Sequence, residues 1–357
     1  MSDGSLPASL HTRFCHLVGC RLPIVQTGMG WVSGANLTAA TSAAGGFGIL
    51  AAVTMTPDQL RAAVRSVHER TAAPFGVNFR ADQPDLAERV AFVVAEGVRL
   101  VSFAGAPTKD AVARCHDAGV AVMPTVGARR HAEKVLEMGV DAVIAQGGEG
   151  GGHTGTVPTS LLLPQVVDAV GAEIPVLGAG GFFDGRGLVA ALAYGADGIA
   201  MGTRFLLTQE SRVPPVVKDR YTAATVFDTV VTTALDGAPQ RVIRTDVVDR
   251  LERSPRVLGL PRAALAALRF RKATDTSLVD LLREGRAMRK HQNLTLSQLA
   301  MAANAPMLIK ATMVDGRPDV GILPTGQVTG VIDELPTVAE LLARIVAEAE
   351  SALKRLA

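Results

Sequence analysis

The chain has 357 residues, enough for about two average domains or for one large barrel with an insertion. Hydrophobic residues make up 48% of it and charged residues 20%, which excludes a disordered chain and favours one extensive core. Because 36 Lys and Arg are balanced by 34 Asp and Glu, the net charge is only +2 and nucleic-acid binding is not expected. Aromatic residues are scarce and glycines abundant, a composition typical of helices packed closely on a parallel sheet and not of all-β sandwiches.

The cysteines and the N-terminal region indicate the compartment. Cys15, Cys20 and Cys115 form no CxxC motif and lack a histidine at zinc-ligand spacing, which favours a reducing compartment and argues against a structural metal. The first residues lack the pattern of a signal peptide. Residues 22–57 carry no charge, but proline and glycine interrupt them too often for a lipid-facing helix. We therefore expect a cytoplasmic protein with no membrane span.

Eight short apolar runs follow one another along the first two hundred residues, with amphipathic helices between them. These runs are predicted as strands at 23–28, 47–52, 74–79, 99–104, 121–126, 141–147, 175–180 and 198–202. Each run is apolar on both faces, as a strand covered on both sides requires. Glycines at 97, 119, 139 and 195 supply the left-handed position after a helix. The series predicts an α/β fold, a (β/α)8 TIM barrel; an open doubly wound sheet is the weaker alternative, since the expected ribose-binding acid is missing.

After residue 204 this alternation stops. Residues 205 to about 335 show no strand runs and are predicted to be mainly helical, a cap inserted over the carboxyl-terminal rim of the barrel. Residues 336–357 are strongly periodic, and Thr337 with Glu340 forms a capping box at the start of this helix. The predicted organisation is a barrel over residues 1–204, completed by the closing helix 336–357, with the cap at 205–335 between them.

Positive charge is concentrated in one part of the cap. Residues 241–290 contain 13 Lys and Arg but only 6 Asp and Glu, a local charge of +7 in a chain of +2. This stretch is either a solvated helical surface or a binding face for a multiply anionic ligand such as a phosphorylated carrier.

The carboxyl ends of the barrel strands, where TIM-barrel chemistry lies, are rich in glycine. The residues there are Gln26–Gly30, Asn78, Thr125, Gln146–Gly155, Gly178–Gly181 and Met201–Thr203. Glycine at successive strand ends leaves backbone N–H groups exposed, so that a ligand can approach them closely. Two such loops follow the seventh and eighth strands, where barrels bind phosphate, so we predict a phosphate site there. The alternative is that these glycines only permit tight packing of helix on strand.

The loop after the sixth strand is the second candidate feature. Five of the six residues from Gly147 to Gly152 are glycines, a sequence too flexible to be stabilising in itself. His153 follows directly and is predicted to be a general acid or base at the barrel mouth. Glu149 has three open interpretations: a partner that orients the His153 ring, a contact to the cofactor, or a loop residue without a role in chemistry.

The motifs QTGMG, GVN, QGGEGGGHTG, AGGFFDGRG and MGTRF, in this order over about residues 20–206, resemble the nitronate monooxygenase family, also called 2-nitropropane dioxygenase-like flavoproteins. The resemblance implies a TIM barrel that binds FMN, with His153 at the position of the family's catalytic histidine. It places the FMN phosphate on Gly180–Gly181 and Gly202–Thr203. The implied cofactor-binding residues are Gly28, Met29, Gly30, Asn78, Thr125, Gln146, Gly151, Gly152, Ala179, Gly180, Gly181, Met201, Gly202 and Thr203.

The sequence departs from the family pattern at three of these positions. Members often have a proline where this chain has Gly28, a lysine where it has Thr125 and an acid where it has Gln146. Losing a cation and an anion beside the flavin changes its redox tuning and weakens the case for nitronate oxidation. The tail at 301–333 resembles a subgroup from actinobacterial steroid breakdown, FMN-dependent oxidoreductases of CoA-linked ring intermediates.

The resemblance thus implies an FMN-dependent oxidoreductase that forms or reduces a C–C double bond next to a carbonyl of a CoA-linked steroid ring intermediate. The alternatives are oxidation of alkyl nitronates with O2, NAD(P)H-dependent reduction of an enoyl or quinone substrate, and a flavin-binding module without catalysis. Candidate substrate contacts are Glu149, Arg241, Arg244 and Gln327, the last in the GQVTG segment expected to return to the flavin. The expected partner is a small molecule, with a CoA thioester as its candidate form; a homodimer is the candidate assembly.

Overall fold

The computed structural model describes residues 10–253 and 296–356. Its strands are β1 Ile24–Gln26, β2 Phe47–Ala51, β3 Gly76–Arg80, β4 Leu100–Ala104, β5 Ala121–Val126, β6 Val143–Gln146, β7 Gly152–His153, β8 Val176–Ala179, β9 Gly198–Met201, β10 Thr229–Thr232 and β11 Gln240–Ile243. Eight of them form a closed parallel barrel in the order β1-β2-β3-β4-β5-β6-β8-β9, in which β9 pairs back onto β1. The predicted TIM barrel is confirmed, and each predicted strand overlaps one barrel strand, of which only β3 extends beyond the prediction, by one residue.

Helices alternate with the barrel strands and continue beyond them. They are α1 Arg13–Val18, α2 Ala35–Ala43, α3 Pro57–Arg70, α4 Leu86–Ala95, α5 Lys109–His116, α6 Arg129–Leu136, α7 Thr159–Val170, α8 Gly185–Ala193, α9 Thr203–Leu206, α10 Pro215–Thr222, α11 Asp246–Arg253, α12 Leu296–Met313 and α13 Val338–Leu356. Short 3₁₀ helices lie at Val226–Asp228 and Gln327–Val331. In the described part of the chain, no helix is long and apolar enough to cross a membrane.

Two buried layers hold the barrel together. The outer layer lies between helices and strands, and the inner layer fills the barrel with side chains such as Ile49, Met123 and Leu177. Helix α1 covers the amino-terminal ends of the strands, where the rings of Phe14 and Phe47 meet edge to face with centroids 5.9 Å apart. The amino-terminal end of the barrel is therefore closed, so a ligand can enter only at the carboxyl-terminal mouth.

The closing helix α13 packs against α8 and α2. It begins with the predicted capping box: the Thr337 N–H donates to Glu340 Oε2 at 2.8 Å, and the Glu340 N–H donates to Thr337 Oγ1 at 3.2 Å. Gly185 lets α8 approach very closely, because a Cβ built there would lie 2.3 Å from backbone atoms of Ile345 and Ala349. This glycine therefore serves helix packing.

The segment between barrel and closing helix contains sheet, so the expectation that it lacks strands is wrong. Strands β10 and β11 form an antiparallel hairpin, and β11 also pairs with β7 from the loop after β6. The runs TVVT and QRVI are only four residues long, and β7, which pairs with QRVI, is distant in sequence. Local periodicity therefore did not indicate these strands. We call residues 229–243 the insert hairpin. Helices that the sequence predicts at 259–270 and 277–290, and most of the basic stretch 241–290, lie outside the described residues.

We predict that Gly185→Ala lowers the free energy of unfolding by about 1–3 kcal/mol or more, because its methyl group collides with the backbone of α13. Urea denaturation followed by circular dichroism measures this. The control is Gly127→Ala, whose Cβ would meet only the Gln146 carbonyl oxygen at 3.9 Å. An equal loss of unfolding free energy in the two variants would show that the close approach of α8 and α13 does not contribute to stability.

Candidate active site

The loops after β8 and β9 form a backbone cradle at the barrel mouth. Gly180 and Gly181 both adopt left-handed backbone conformations, with φ of 92° and 84°. A Cβ on Gly180 would lie 3.0 Å from the Gly147 oxygen, whereas one on Gly181 would meet nothing nearer than Glu149 Cβ at 3.9 Å. Within the described ranges, the amides of Gly181 and Gly202 donate no hydrogen bond to the protein. Two available amides at neighbouring strand ends can bind an anion.

The amino terminus of α8 does not contribute to this cradle. Asp184 accepts a hydrogen bond from the Gly187 N–H at 2.8 Å, and Glu348 accepts one from the Gly185 N–H at 2.9 Å. Since two carboxylates already accept from these amides, neither N–H group is free to bind an anion at the cradle. The amides that remain for an anion there are those of Gly181 and Gly202.

The loop after β1 lies against the same mouth. A Cβ on Gly28 would lie only 2.3 Å from the Cβ of Asn78, which is buried and donates to Ser102 Oγ at 3.2 Å. Gly28 is thus required by this close approach, so the proline frequent in the family does not fit here. Met29 Sδ lies 3.3 Å from the position of a Cβ on Gly202. The structure therefore brings the predicted residues of β1, β3 and β9 together.

Trp31 is a feature that the sequence did not indicate. Its φ of 67° makes it the one non-glycine residue with positive φ in the described part of the chain, an uncommon conformation for a bulky side chain. Its N–H donates to Thr54 Oγ1 at 3.4 Å, and its side chain lines a cavity of about 150 Å³ with Met55 and Gln59. Strained backbone of this kind concentrates at ligand-binding positions.

Two predicted substrate contacts, Glu149 and Arg241, hold the glycine-rich loop in place. The Glu149 carboxylate accepts from the N–H and hydroxyl of Thr159 at 2.9 and 2.7 Å, at the start of α7. The Arg241 guanidinium donates to the Gly148 carbonyl at 2.9 Å and to Thr229 Oγ1 at 3.0 Å. Burial lowers the pKa of Arg241, and the charge of Glu149 opposes this shift. Both side chains thus make hydrogen bonds within the protein, and their predicted contact with a substrate stays a prediction.

The other two predicted substrate contacts have different surroundings. The Gln327 N–H donates to the Glu149 carbonyl at 3.0 Å, and the Gly326 N–H donates to Thr203 Oγ1 at 2.9 Å. The GQVTG segment therefore returns to the barrel mouth. Arg244 is half exposed and pairs with Asp249 of α11 at 2.8 Å. No contact between Arg244 and the glycine-rich loop exists in the described ranges.

The backbone of His153 is fixed between barrel and insert. His153 is paired with Gln240 in the β7–β11 ladder, and its carbonyl accepts a hydrogen bond from Gln146 Nε2 at 2.7 Å. Gln146 ends β6, so this bond ties His153 to the barrel mouth. Thr125, on the neighbouring strand β5, is half-buried at the same end of the barrel.

The imidazole of His153 turns one edge to the insert hairpin. Its Nε2 lies 2.7 Å from Asp236 Oδ2, and Gln240 Nε2 donates to the same oxygen at 2.5 Å. Burial raises the pKa of Asp236, but the hydrogen bond and charge of His153, with bonds from Ala238 and Gln240, outweigh it and leave the pKa below its ordinary value. The His153 side chain is 66% exposed and Asp236 14%. The ring partner is thus Asp236, not Glu149.

Asp236 and Gln240 are the site residues that sequence reasoning missed. Asp236 is 83 positions from His153 and belongs to no motif. Only the pairing of β7 with β11, a tertiary contact of two very short strands, brings these residues together. The DG pair at 236–237, a turn signal between two β-branched runs, could have located the hairpin but not its partner.

A closed parallel barrel with its polar groups at the carboxyl ends of the strands places the chain among the TIM-barrel proteins. Comparison with known families goes further: the sequence model for nitronate monooxygenase matches residues 11–96 and 86–348. The chain belongs to the nitronate monooxygenase family, and it is an oxidoreductase. The resemblance inferred from the glycine-rich motifs is confirmed.

Individual relatives cover nearly the whole chain. A (3aS,4S,5R,7aS)-5-hydroxy-7a-methyl-1-oxo-octahydro-1H-indene-4-carboxyl-CoA dehydrogenase of Mycobacterium tuberculosis is 54% identical, over 95% of this chain and 96% of its own. The protein of the same name from Rhodococcus jostii is 52% identical, over 96% of both chains. The structure of FabK from Thermotoga maritima aligns with a TM-score of 0.77 and 33% identity, over 97% of this chain and 98% of its own. The first two relatives confirm the similarity to CoA-ester oxidoreductases.

Proposed function

We propose that the protein is an FMN-dependent dehydrogenase that acts on the CoA ester of a fused-ring carboxylic acid. Two relatives more than 50% identical over nearly the full chain carry the name of such a dehydrogenase. The observation that carries the proposal is the barrel mouth itself, where the cradle of Gly181 and Gly202 lies close to the loop that bears His153. A CoA-linked ring intermediate of steroid breakdown is the substrate class that agrees with the sequence of the tail at 301–333.

The residues present fit FMN. The amides of Gly181 and Gly202 would bind its phosphate, and Thr203 Oγ1, which already accepts from Gly326, has a proton left to donate. Gly28, Met29 and Asn78, which lie at the same mouth, would contact its ring system. When bound, FMN supplies the acceptor for a hydride leaving the substrate.

The side chains of the protein supply proton transfer and the shape of the substrate site. Forming a C=C bond next to the thioester carbonyl removes a proton from the α-carbon and a hydride from the β-carbon. His153 takes that proton as general base, while Gln146 and the β7–β11 ladder hold its backbone at the barrel mouth. The cavity beside Trp31 would receive an apolar part of the ligand. The basic stretch 241–290 remains the candidate for the phosphates of CoA.

Oxidation of alkyl nitronates is the second candidate function, because the matching family carries that name. In that reaction His153 would deprotonate a neutral nitroalkane or stabilise the charge that develops on it. The two functions require different substrates at the same mouth, so a substrate panel separates them.

We predict that Gly181→Ala weakens FMN binding by about tenfold or more, because a side chain at φ 84° is strained and relief of that strain displaces the Gly181 amide. Fluorescence titration of the flavin-free protein measures the dissociation constant. The control is Gly97→Ala, which places the same strain at φ 73° after α4, in open space. If both variants bind FMN as the native protein does, the cradle is not the phosphate site.

We predict that His153→Ala retains FMN but reduces its bleaching by a CoA ester about 10²–10⁴-fold, since proton transfer by a positioned side chain contributes that much. Anaerobic stopped-flow absorbance measures the rate. His131→Ala, an exposed histidine on α6, is the control and is expected to react normally. A parallel panel with NAD(P)H and an alkyl nitronate tests the other functions: bleaching by a nitronate alone would overturn the dehydrogenase proposal.

A further inference from the structure

We propose that Asp236 of the insert hairpin is a positioning residue that holds the proton of neutral His153 on Nε2, so that Nδ1 is the nitrogen that accepts the substrate proton. This inference rests on the proposed role of His153 as the base. It assigns to the insert hairpin a part in catalysis, and it names the working atom of the imidazole.

The hydrogen bonds around Asp236 determine which ring nitrogen carries hydrogen. Its Oδ1 accepts from the Ala238 N–H at 3.1 Å, within the turn of the hairpin. Its Oδ2 accepts from Gln240 Nε2 and lies 2.7 Å from His153 Nε2, which is also 3.2 Å from Gln240 Nε2. An ionised carboxylate only accepts hydrogen bonds, so the shorter contact, to Asp236, requires a proton on Nε2, and the Gln240 amide then donates to Asp236 rather than to the ring. Nδ1, which has no hydrogen-bond partner in the described part of the chain, then has a lone pair.

Asp236 is well placed to remain ionised. Burial alone would raise its pKa, yet the hydrogen bonds from His153, Ala238 and Gln240, with the charge of His153, keep that pKa below its ordinary value. Gln240 reinforces the arrangement because its backbone is paired with His153 while its side chain reaches Asp236. The carboxylate and the ring are thus held by one short stretch of sheet.

Other charged groups near this pair are already engaged. On β11, the Arg241 guanidinium is bound to the Gly148 carbonyl and to Thr229. On the glycine-rich loop, the Glu149 carboxylate is bound to Thr159. Asp236 is therefore the one charged side chain in hydrogen-bond contact with the ring, among the residues described.

The chemical consequence concerns the imidazolium that forms in the reaction. The substrate C–H bond breaks and its proton bonds to Nδ1, while bound FMN would accept the hydride from the neighbouring carbon. The new positive charge is then shared with Asp236 through the Nε2–H bond, which stabilises the charged ring. The proton afterwards leaves Nδ1 for water.

The test compares Asp236→Asn with Asp319→Asn in the FMN-loaded protein. Both changes remove one negative charge from the segment between β9 and α13, but Asp319 is 79% exposed and pairs only with Arg220. We expect Asp236→Asn to slow flavin bleaching by the CoA ester about 10²-fold or more and to move the acid-side midpoint of its pH profile to lower pH, because the imidazolium loses its anionic partner. FMN content and the unfolding midpoint should be unchanged, and Asp319→Asn should behave as the native protein.

A second measurement needs no variant. The ¹⁵N chemical shifts of histidine in the labelled native protein distinguish the two neutral tautomers, and His153→Ala identifies the signal. We expect His153 to carry hydrogen on Nε2. Hydrogen on Nδ1, or an Asp236→Asn protein with the native rate or the native pH profile, would overturn the proposal. If His153→Ala itself bleaches at the native rate, the proposed function fails, which is a separate outcome.

Discussion

The interaction on which the site depends is the pairing of β7 with β11. A loop of five glycines in six residues has a large conformational entropy to lose, and Glu149 is the one side chain of its own that anchors it. The antiparallel ladder from Gly152 and His153 to Gln240 and Arg241 supplies the missing order. It places the one histidine of the barrel mouth in a defined position, and it joins the inserted segment to the barrel.

Around this ladder, the barrel and the inserted segment contribute different groups to the site. The barrel gives the cradle of Gly181 and Gly202 and the close approach of Gly28 to Asn78. The insert gives the carboxylate of Asp236 and the guanidinium of Arg241, which hold the ring and the loop respectively. The environment of His153 is therefore set by a segment outside the barrel strands.

The sequence predicted the barrel because its signals are local and repeated: eight apolar runs alternate with amphipathic helices, and glycines follow four of those helices. The glycine-rich strand ends and His153 were likewise visible, since glycine at such positions has few other uses. The insert hairpin and Asp236 were not, because β10, β11 and β7 are two to four residues long and exist only through tertiary pairing. Arg241 was recognised as a functional cation, but the bond to Gly148 that gives it a structural role depends on the folded loop.

The central claim is that one mouth joins a phosphate cradle to a histidine held by the insert. A crystal structure of the protein grown with FMN tests it most directly. The account predicts phosphate oxygens within hydrogen-bond distance of the Gly181 and Gly202 amides, with the His153 ring facing the flavin and still bound to Asp236. A flavin phosphate bound elsewhere, or a His153 ring that faces away from the flavin, would contradict it.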